Sequence, residues 1–286
     1  MRVHHFNCAT QCLLGGCFIS GQGSLFQRAP QVCHCLLVET TAGLVLVDTG
    51  LGVQDVQHPK QRLTPQFRFL ARPRLALEET AWWQIELLGF ARSDVRHIIL
   101  THLDFDHAGG LADFPQATVH LLDREYETAI GSSHTTTQNW LARSLHRYRY
   151  QPAQWSHQPQ WVRYPASGED WFGFNGVRQL AGLPPEILLV PLSGHTLGHA
   201  GVAIQTAQGW LLHAGDAYYH HWEMQVESPS CPLGLAVVQR LGAMDNQDRL
   251  QNQAQLRQLK QDYPDQIQVI SAHDPIEFAN CIPPNC

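Results

Sequence analysis

The sequence predicts an α/β fold, and three observations carry that prediction. Short apolar runs repeatedly end in a polar residue with a small neighbour, the way α/β proteins build sites at the carboxyl ends of strands. Amphipathic helical segments fall between those runs. The chain has 286 residues, 44% of them hydrophobic, enough for one large α/β domain with a real core or for two small ones.

Taken in order, the first residues, MRVHHFNCATQCLLGG, do not read as a secretory signal. Residues 33–39, CHCLLVE, read as a strand, 40–43 as a turn and 44–47 as the partner strand of a hairpin. The hairpin ends in Asp48-Thr49-Gly50, either a plain turn or a group that supports a nearby site. Residues 53–73 look irregular and suit a lid or pocket wall. Segment 78–90 carries Trp82, Trp83, Ile85, Leu87 and Leu88 at roughly helical spacing and reads as a helix stopped by Gly89, its tryptophans serving as core. Ser93 or Asp94 then turns the chain into a central strand at 95–100.

Past the loop 101–110, residues 117–122 read as a strand and 123–130 as a short helix with Asp123 as N-cap. The stretch 131–176 is the least regular and dense in aromatic residues. It fits a cap over the site or a packing surface for a second subunit, which makes a homodimer one expectation. Residues 187–191 form a strand running into SGHTLGH, and 202–205 with 210–213 form a hairpin that ends in Ala214-Gly215-Asp216. A polar helix follows at 248–263, with Leu250, Leu256 and Leu259 on one side and Pro264 as its stop. The last strand, 267–270, runs into Ser271-Ala272-His273-Asp274. The expected organisation is one domain over 1–286 with an aromatic-rich insertion at about 131–176.

The centre of this organisation is Thr101–Gly110, THLDFDHAGG. It places His102, Asp104, Asp106 and His107 within six positions, directly after the apolar run Ile98, Ile99 and Leu100. In an extended segment residues at i, i+2 and i+4 share a face, so His102, Asp104 and Asp106 can converge. His107 breaks the alternation, as it would if it served a second cation. Imidazole suits zinc, iron or copper, while carboxylate favours harder ions. His195, Asp216 and His273 each follow a strand and a small residue, making seven candidate ligands from distant parts of the chain.

The totals narrow the function. Nineteen basic against 25 acidic residues leave a formal charge of −6, so bulk electrostatics recruits neither nucleic acid nor an anionic membrane. No run of 18 apolar residues exists to span a bilayer. The eight cysteines are expected as reduced, mostly buried thiols in a cytoplasmic protein. Seventeen histidines raise the expectation of metal chemistry.

The set of motifs resembles the metallo-β-lactamase-fold hydrolases. Their HxHxDH appears as His102-x-Asp104-x-Asp106-His107. Their G-H-T-x-G-H context appears around His195, their Asp after a small residue as Asp216, and their late His as His273; a V-D-T-G turn ends the first hairpin. The resemblance spans about 32–276. It implies a four-layer αβ/βα sandwich with a dinuclear metal centre. One cation would be held by His102, Asp104 and His195, the other by Asp106, His107 and His273, with Asp216 bridging and His199 in a supporting role. Two divalent metal ions are implied, zinc first. The departure is Asp104, where most of these hydrolases have His. A carboxylate there resembles the flavodiiron oxygen reductases and admits iron or manganese, although no flavin-binding segment follows.

Within the superfamily the chain most resembles the N-acyl homoserine lactonases. Leu122–Tyr126 (LDREY), Tyr219 three residues after Asp216, and His273-Asp274 carry that likeness. It implies a hydroxide shared by two metals attacking a lactone or ester-type carbonyl. Tyr219 would donate to the developing oxyanion, and Asp106 would hold the nucleophile or pass its proton to the leaving group. The implied partner is a small acyl-bearing or apolar substrate. Two other readings stand beside it: a diiron redox or oxygen-handling protein, and a catalytically silent homologue.

Overall fold

The computed structural model describes residues 1–131 and 140–282. Its strands, in chain order, are β1 (Arg2–Asn7), β2 (Gln11–Leu13), β3 (Ala29–Gln31), β4 (His34–Thr40), β5 (Gly43–Val47), β6 (Val95–Ile99), β7 (Thr118–Leu122) and β8 (Gln160–Tyr164). They continue with β9 (Glu169–Trp171), β10 (Phe174–Gln179), β11 (Ile187–Pro191), β12 (Ala200–Thr206), β13 (Gly209–His213) and β14 (Ile267–Ile270). Among the described residues there are two six-stranded sheets. One is ordered β1-β4-β5-β6-β7-β8, the other β14-β13-β12-β11-β10-β9.

The period-two pattern of the strands decides the layers. Leu36, Val38, Val45, Val47 and Ile99 of the first sheet meet Ile187, Leu189, Val202, Ile204 and Ile270 of the second in one core between the sheets. The alternate residues Leu37, Leu44, Leu46 and Ile98 face outward and pack with Ile85 of the helix Ala81–Leu87. On the far side Val190, Ala203, Leu212 and Val269 pack with Leu256 and Leu259 of the helix Asn246–Asp262. Helices, two sheets and helices thus form the four-layer αβ/βα sandwich. Strands buried on both faces explain the unbroken apolar run of β5, which also pairs in parallel with β6.

Several elements differ from the sequence reading. Residues 53–73 hold three short helices, Val53–Gln57, Pro59–Arg62 and Pro65–Leu70, each too short to show a period. Asp123 is the first helical residue of Asp123–Ala129, with Leu122 at the cap and no side-chain capping bond. Leu250, expected on the apolar side of its helix, is 48% exposed, whereas Leu256 and Leu259 are buried. The stretch 131–176, expected as a cap or as a packing surface for a second subunit, divides. Residues 132–139 lie outside the described residues, the helix Trp140–Arg149 stands beside the strand-end loops, and β8, β9 and the start of β10 belong to the sheets. Its aromatic residues Tyr164, Trp171 and Phe174 are core residues.

Among the described residues no helix is long and apolar enough to cross a membrane. Ile204, fully buried between the sheets near the end of β12 away from the loops, offers a test of the layering. Ile204→Ala is expected to cost about 2–5 kcal/mol in urea unfolding. Metal uptake by the folded variant should stay as in the native protein.

Candidate metal centre

The loops that follow β6, β11, β13 and β14 meet at one end of the sandwich, and they bring all seven candidate ligands together. The loop after β6 does so in two conformations. Thr101–Asp104 is non-helical, and then Phe105–Ala108 forms a single helical turn with Asp104 at its N-cap position. The extended i, i+2, i+4 geometry therefore holds only for His102 and Asp104. The helical turn swings Asp106 to the rim and His107 to a second position.

Two groups of donor atoms result, joined by Asp216. In the first, His195 Nε2 lies 3.1 Å from Asp104 Oδ2 and 3.3 Å from Asp216 Oδ2, while His102 Nε2 lies 3.5 and 3.8 Å from the same two oxygens. In the second, His107 Nε2 and His273 Nε2 each lie 3.2 Å from Asp216 Oδ1 and 3.4 Å from each other. Asp106 Oδ2 stands 3.8 Å from His273 Nε2. Donors held tetrahedrally at about 2.0–2.1 Å from one cation are about 3.3 Å apart, so both groups have the spacing of a coordination shell. His102 Nε2 and Asp216 Oδ1 are buried without a hydrogen-bond partner, a costly state that a cation would relieve. The residues fit a metal at both positions.

The imidazoles are aimed by what holds their other nitrogen. His107 Nδ1 is 2.8 Å from Asp48 Oδ2 and His273 Nδ1 is 2.7 Å from the Val32 carbonyl, so each donates outward there and turns Nε2 inward. Thr101 Oγ1 donates to Asp48 Oδ2 at 2.8 Å and accepts from His102 Nδ1 at 2.9 Å. Asp48 reaches this position with φ +53, a left-handed conformation unusual for a residue with a side chain. His199 stands outside both groups. It gives its Nδ1 proton to the Leu192 carbonyl and accepts the Asp216 backbone N–H at 2.9 Å. This approach requires glycine at 215, where φ is +53 and a Cβ would stand 2.5 Å from His199 Nε2.

Charge supports the same arrangement. Burial would raise the Asp216 carboxyl, but His273, His107, His195 and His102 hold it well below the usual carboxylate range. Burial would likewise raise Asp104, and the Arg149 guanidinium and His102 keep it well below. Burial, then Arg149, lowers His195 to about 3, so its imidazole is neutral and keeps a lone pair to give.

Tyr219 Oη donates to Asp216 Oδ2 at 2.8 Å, placing the expected catalytic tyrosine against the cluster. Four contributors were not named as site residues from the sequence. Gln11 Nε2 donates to Asp106 Oδ2 at 2.7 Å. Buried Glu125 accepts from Leu103 N at 2.9 Å and Thr196 Oγ1 at 2.6 Å, tying two ligand loops together. Cys33, its thiol pushed up to about 11 by burial, lies with Asp106 and His273. Arg149 contacts Asp104 and His195. Only the carboxylate at 104, set where an imidazole is usual, hints at a counter-cation elsewhere in the chain.

A model of the Metallo-beta-lactamase superfamily matches residues 28–262. The chain belongs to the metallo-beta-lactamase superfamily. It has the fold of this superfamily and is a metallo-hydrolase. A probable metallo-hydrolase of Mycobacterium tuberculosis (strain H37Rv) is 40% identical over 276 residues, covering 96% of this chain and 81% of the relative. An N-acyl homoserine lactonase of Bacillus thuringiensis is 28% identical over 212 residues, covering 72% and 74%. Among solved structures, an N-acyl homoserine lactone hydrolase with N-hexanoyl-L-homoserine at its catalytic metal centre superposes with a TM-score of 0.70. It is 21% identical, with 98% of this chain and 96% of that one covered.

The Asp48 contact to His107 carries a prediction. Asp48→Asn removes the charge that orients His107, and it should weaken divalent metal binding about 10–100-fold. Competition with a chromophoric chelator measures this, and an unchanged affinity would show that Asp48 has no such part.

Proposed function

We propose that this superfamily member hydrolyses a lactone or ester-type carbonyl of a small acyl-bearing molecule, using two divalent cations at the paired donor groups. The observation that carries this reading is Asp216. Its two oxygens face two separate pairs of imidazole Nε2 atoms, His102 with His195 and His107 with His273, at 3.2–3.8 Å. Four imidazoles among the donors favour zinc, and the carboxylates also admit iron or manganese. When bound, such cations acidify water and polarise a carbonyl.

The residues of the chain would do the rest. A cavity of about 250 Å³ has Asp104, Asp216 and His273 on its floor, Asp106 at its rim, and Leu13, Leu14, Ile19, Phe67, Leu70 and Val238 on its walls. Such walls suit an acyl chain, while the polar floor receives the carbonyl. The Tyr219 hydroxyl, bonded to Asp216 in this structure, turns to donate to the oxygen that gains charge. Asp106 is steadied by Gln11 through Oδ2 and can hold a proton for the departing alkoxide. The seven described cysteines are free thiols, consistent with action in the reducing cytoplasm.

The test is a panel of acyl lactones and simple esters offered to protein of measured metal content. Hydrolysis should vanish on chelation and return with zinc. Tyr219→Phe should lower kcat about 10–100-fold with a smaller change in KM, since it removes one donor to the transition state. A fully metal-loaded protein that opens no lactone and cleaves no ester would refute the reading.

A further inference from the structure

We propose that Arg149 is the positioning residue that lets Asp104 act as a cation ligand, and that Asp104 and Arg149 together take the place of one histidine. The inference rests on the metal-dependent reading of this site and concerns how its first donor group is built.

Arg149 ends the helix Trp140–Arg149 and is 3% exposed. All its nitrogens are engaged. Nε lies 3.0 and 2.9 Å from the two Asp104 oxygens. Nη1 donates to the carbonyls of His195 at 3.0 Å and Gly242 at 2.7 Å. Nη2 lies against the His195 ring, close to both Nε2 and Nδ1. An arginine without spare donors is a fixed part of the framework and is not waiting for a substrate anion.

The chemistry of the exchange explains each contact. An imidazole ligand is neutral, offers one lone pair and uses its second nitrogen to fix its angle. A carboxylate in its place adds a negative charge to a buried region that already holds Asp48 and Asp216. It has no N–H with which to anchor itself, so both charge and orientation must come from a donor outside. Arg149 supplies the two at once. Each carboxylate oxygen has two lone pairs, so Asp104 Oδ2 can accept from Nε and still face His195 and His102.

The guanidinium does not take the cation's place. A group near both ring nitrogens of His195 stands over the imidazole and off the axis of the Nε2 lone pair. That axis is directed at Asp104 Oδ2, 3.1 Å away, and Asp216 Oδ2 lies 3.3 Å from the same nitrogen. His195 is thereby held from its ring and its carbonyl by the same arginine that holds Asp104, so one side chain sets two of the four donors.

The experiment is a zinc titration against a chromophoric chelator, repeated with cobalt for its ligand-field spectrum. Four proteins are compared: native, Arg149→Met, Asp104→His, and the double variant Asp104→His/Arg149→Met. The native protein should take two equivalents. Arg149→Met should keep one at native affinity and bind the other about 10–100-fold more weakly. Asp104→His alone should be no better, because it leaves the guanidinium buried beside an imidazole. The double variant should recover two equivalents and a native-like cobalt spectrum.

A role confined to tethering the helix predicts otherwise: the double variant would then be as impaired as Arg149→Met. That result overturns the proposal, as does Arg149→Met with both equivalents at native affinity, or a native protein that takes only one. Should Arg149→Met fail to fold, the double variant decides alone, with two equivalents supporting the proposal and fewer overturning it. Ester and lactone hydrolysis is read separately. Native protein with two equivalents and no hydrolysis refutes the proposed function and leaves this inference standing.

Discussion

Four imidazole lone pairs converge on one buried carboxylate, and the rest of the architecture serves that convergence. Asp216 is 2% exposed, and the nitrogens around it come from loops after three different strands. Electron-pair donors do not gather at such distances for mutual benefit. Each would be better solvated apart, and the cost of bringing them together is met by packing elsewhere. The two sheets provide that packing, since their inner faces form a continuous apolar layer ending just below the loops. A cation completes the balance locally.

The orienting contacts form a layer of their own beneath the donors. Asp48 holds His107 directly and His102 through Thr101, Val32 holds His273, and Glu125 accepts from the Leu103 backbone N–H and the Thr196 hydroxyl. Asp48, Thr101 and Val32 sit beside strand ends, where the backbone is already fixed by the ladders, and Glu125 sits in the helix that follows β7. Precision at the donors therefore derives from the rigidity of the sheets, and the unusual backbone of Asp48 is held by bonds on both of its carboxylate oxygens.

Much of this was legible in the amino-acid sequence. Apolar runs ending in His or Asp marked β6, β11, β13 and β14 and all seven candidate ligands, because a strand end is a local event with a local signal. What escaped was long-range or too short to be periodic. The two-turn-or-less helices between Val53 and Leu70 carry no measurable period. In β1 the alternation is masked by half-buried histidines, yet it pairs with β4 along its length. The helical turn at Phe105–Ala108 reassigned Asp106 from the floor to the rim. Arg149 sits in an RYRY run with no pattern, and its meaning arises only from a carboxylate 45 residues earlier.

The position of β14 has a consequence for biosynthesis. It pairs with β13 at the edge of the second sheet, and the loop after it delivers His273 and bonds the His34 amide through Ala272. As the chain leaves the ribosome, His102, Asp104, His195 and Asp216 emerge before this strand does. One donor group can thus assemble on a nascent chain while the other stays open until the final strand docks. The donor group that needs His273 therefore stays incomplete until the last strand of the sandwich is in place.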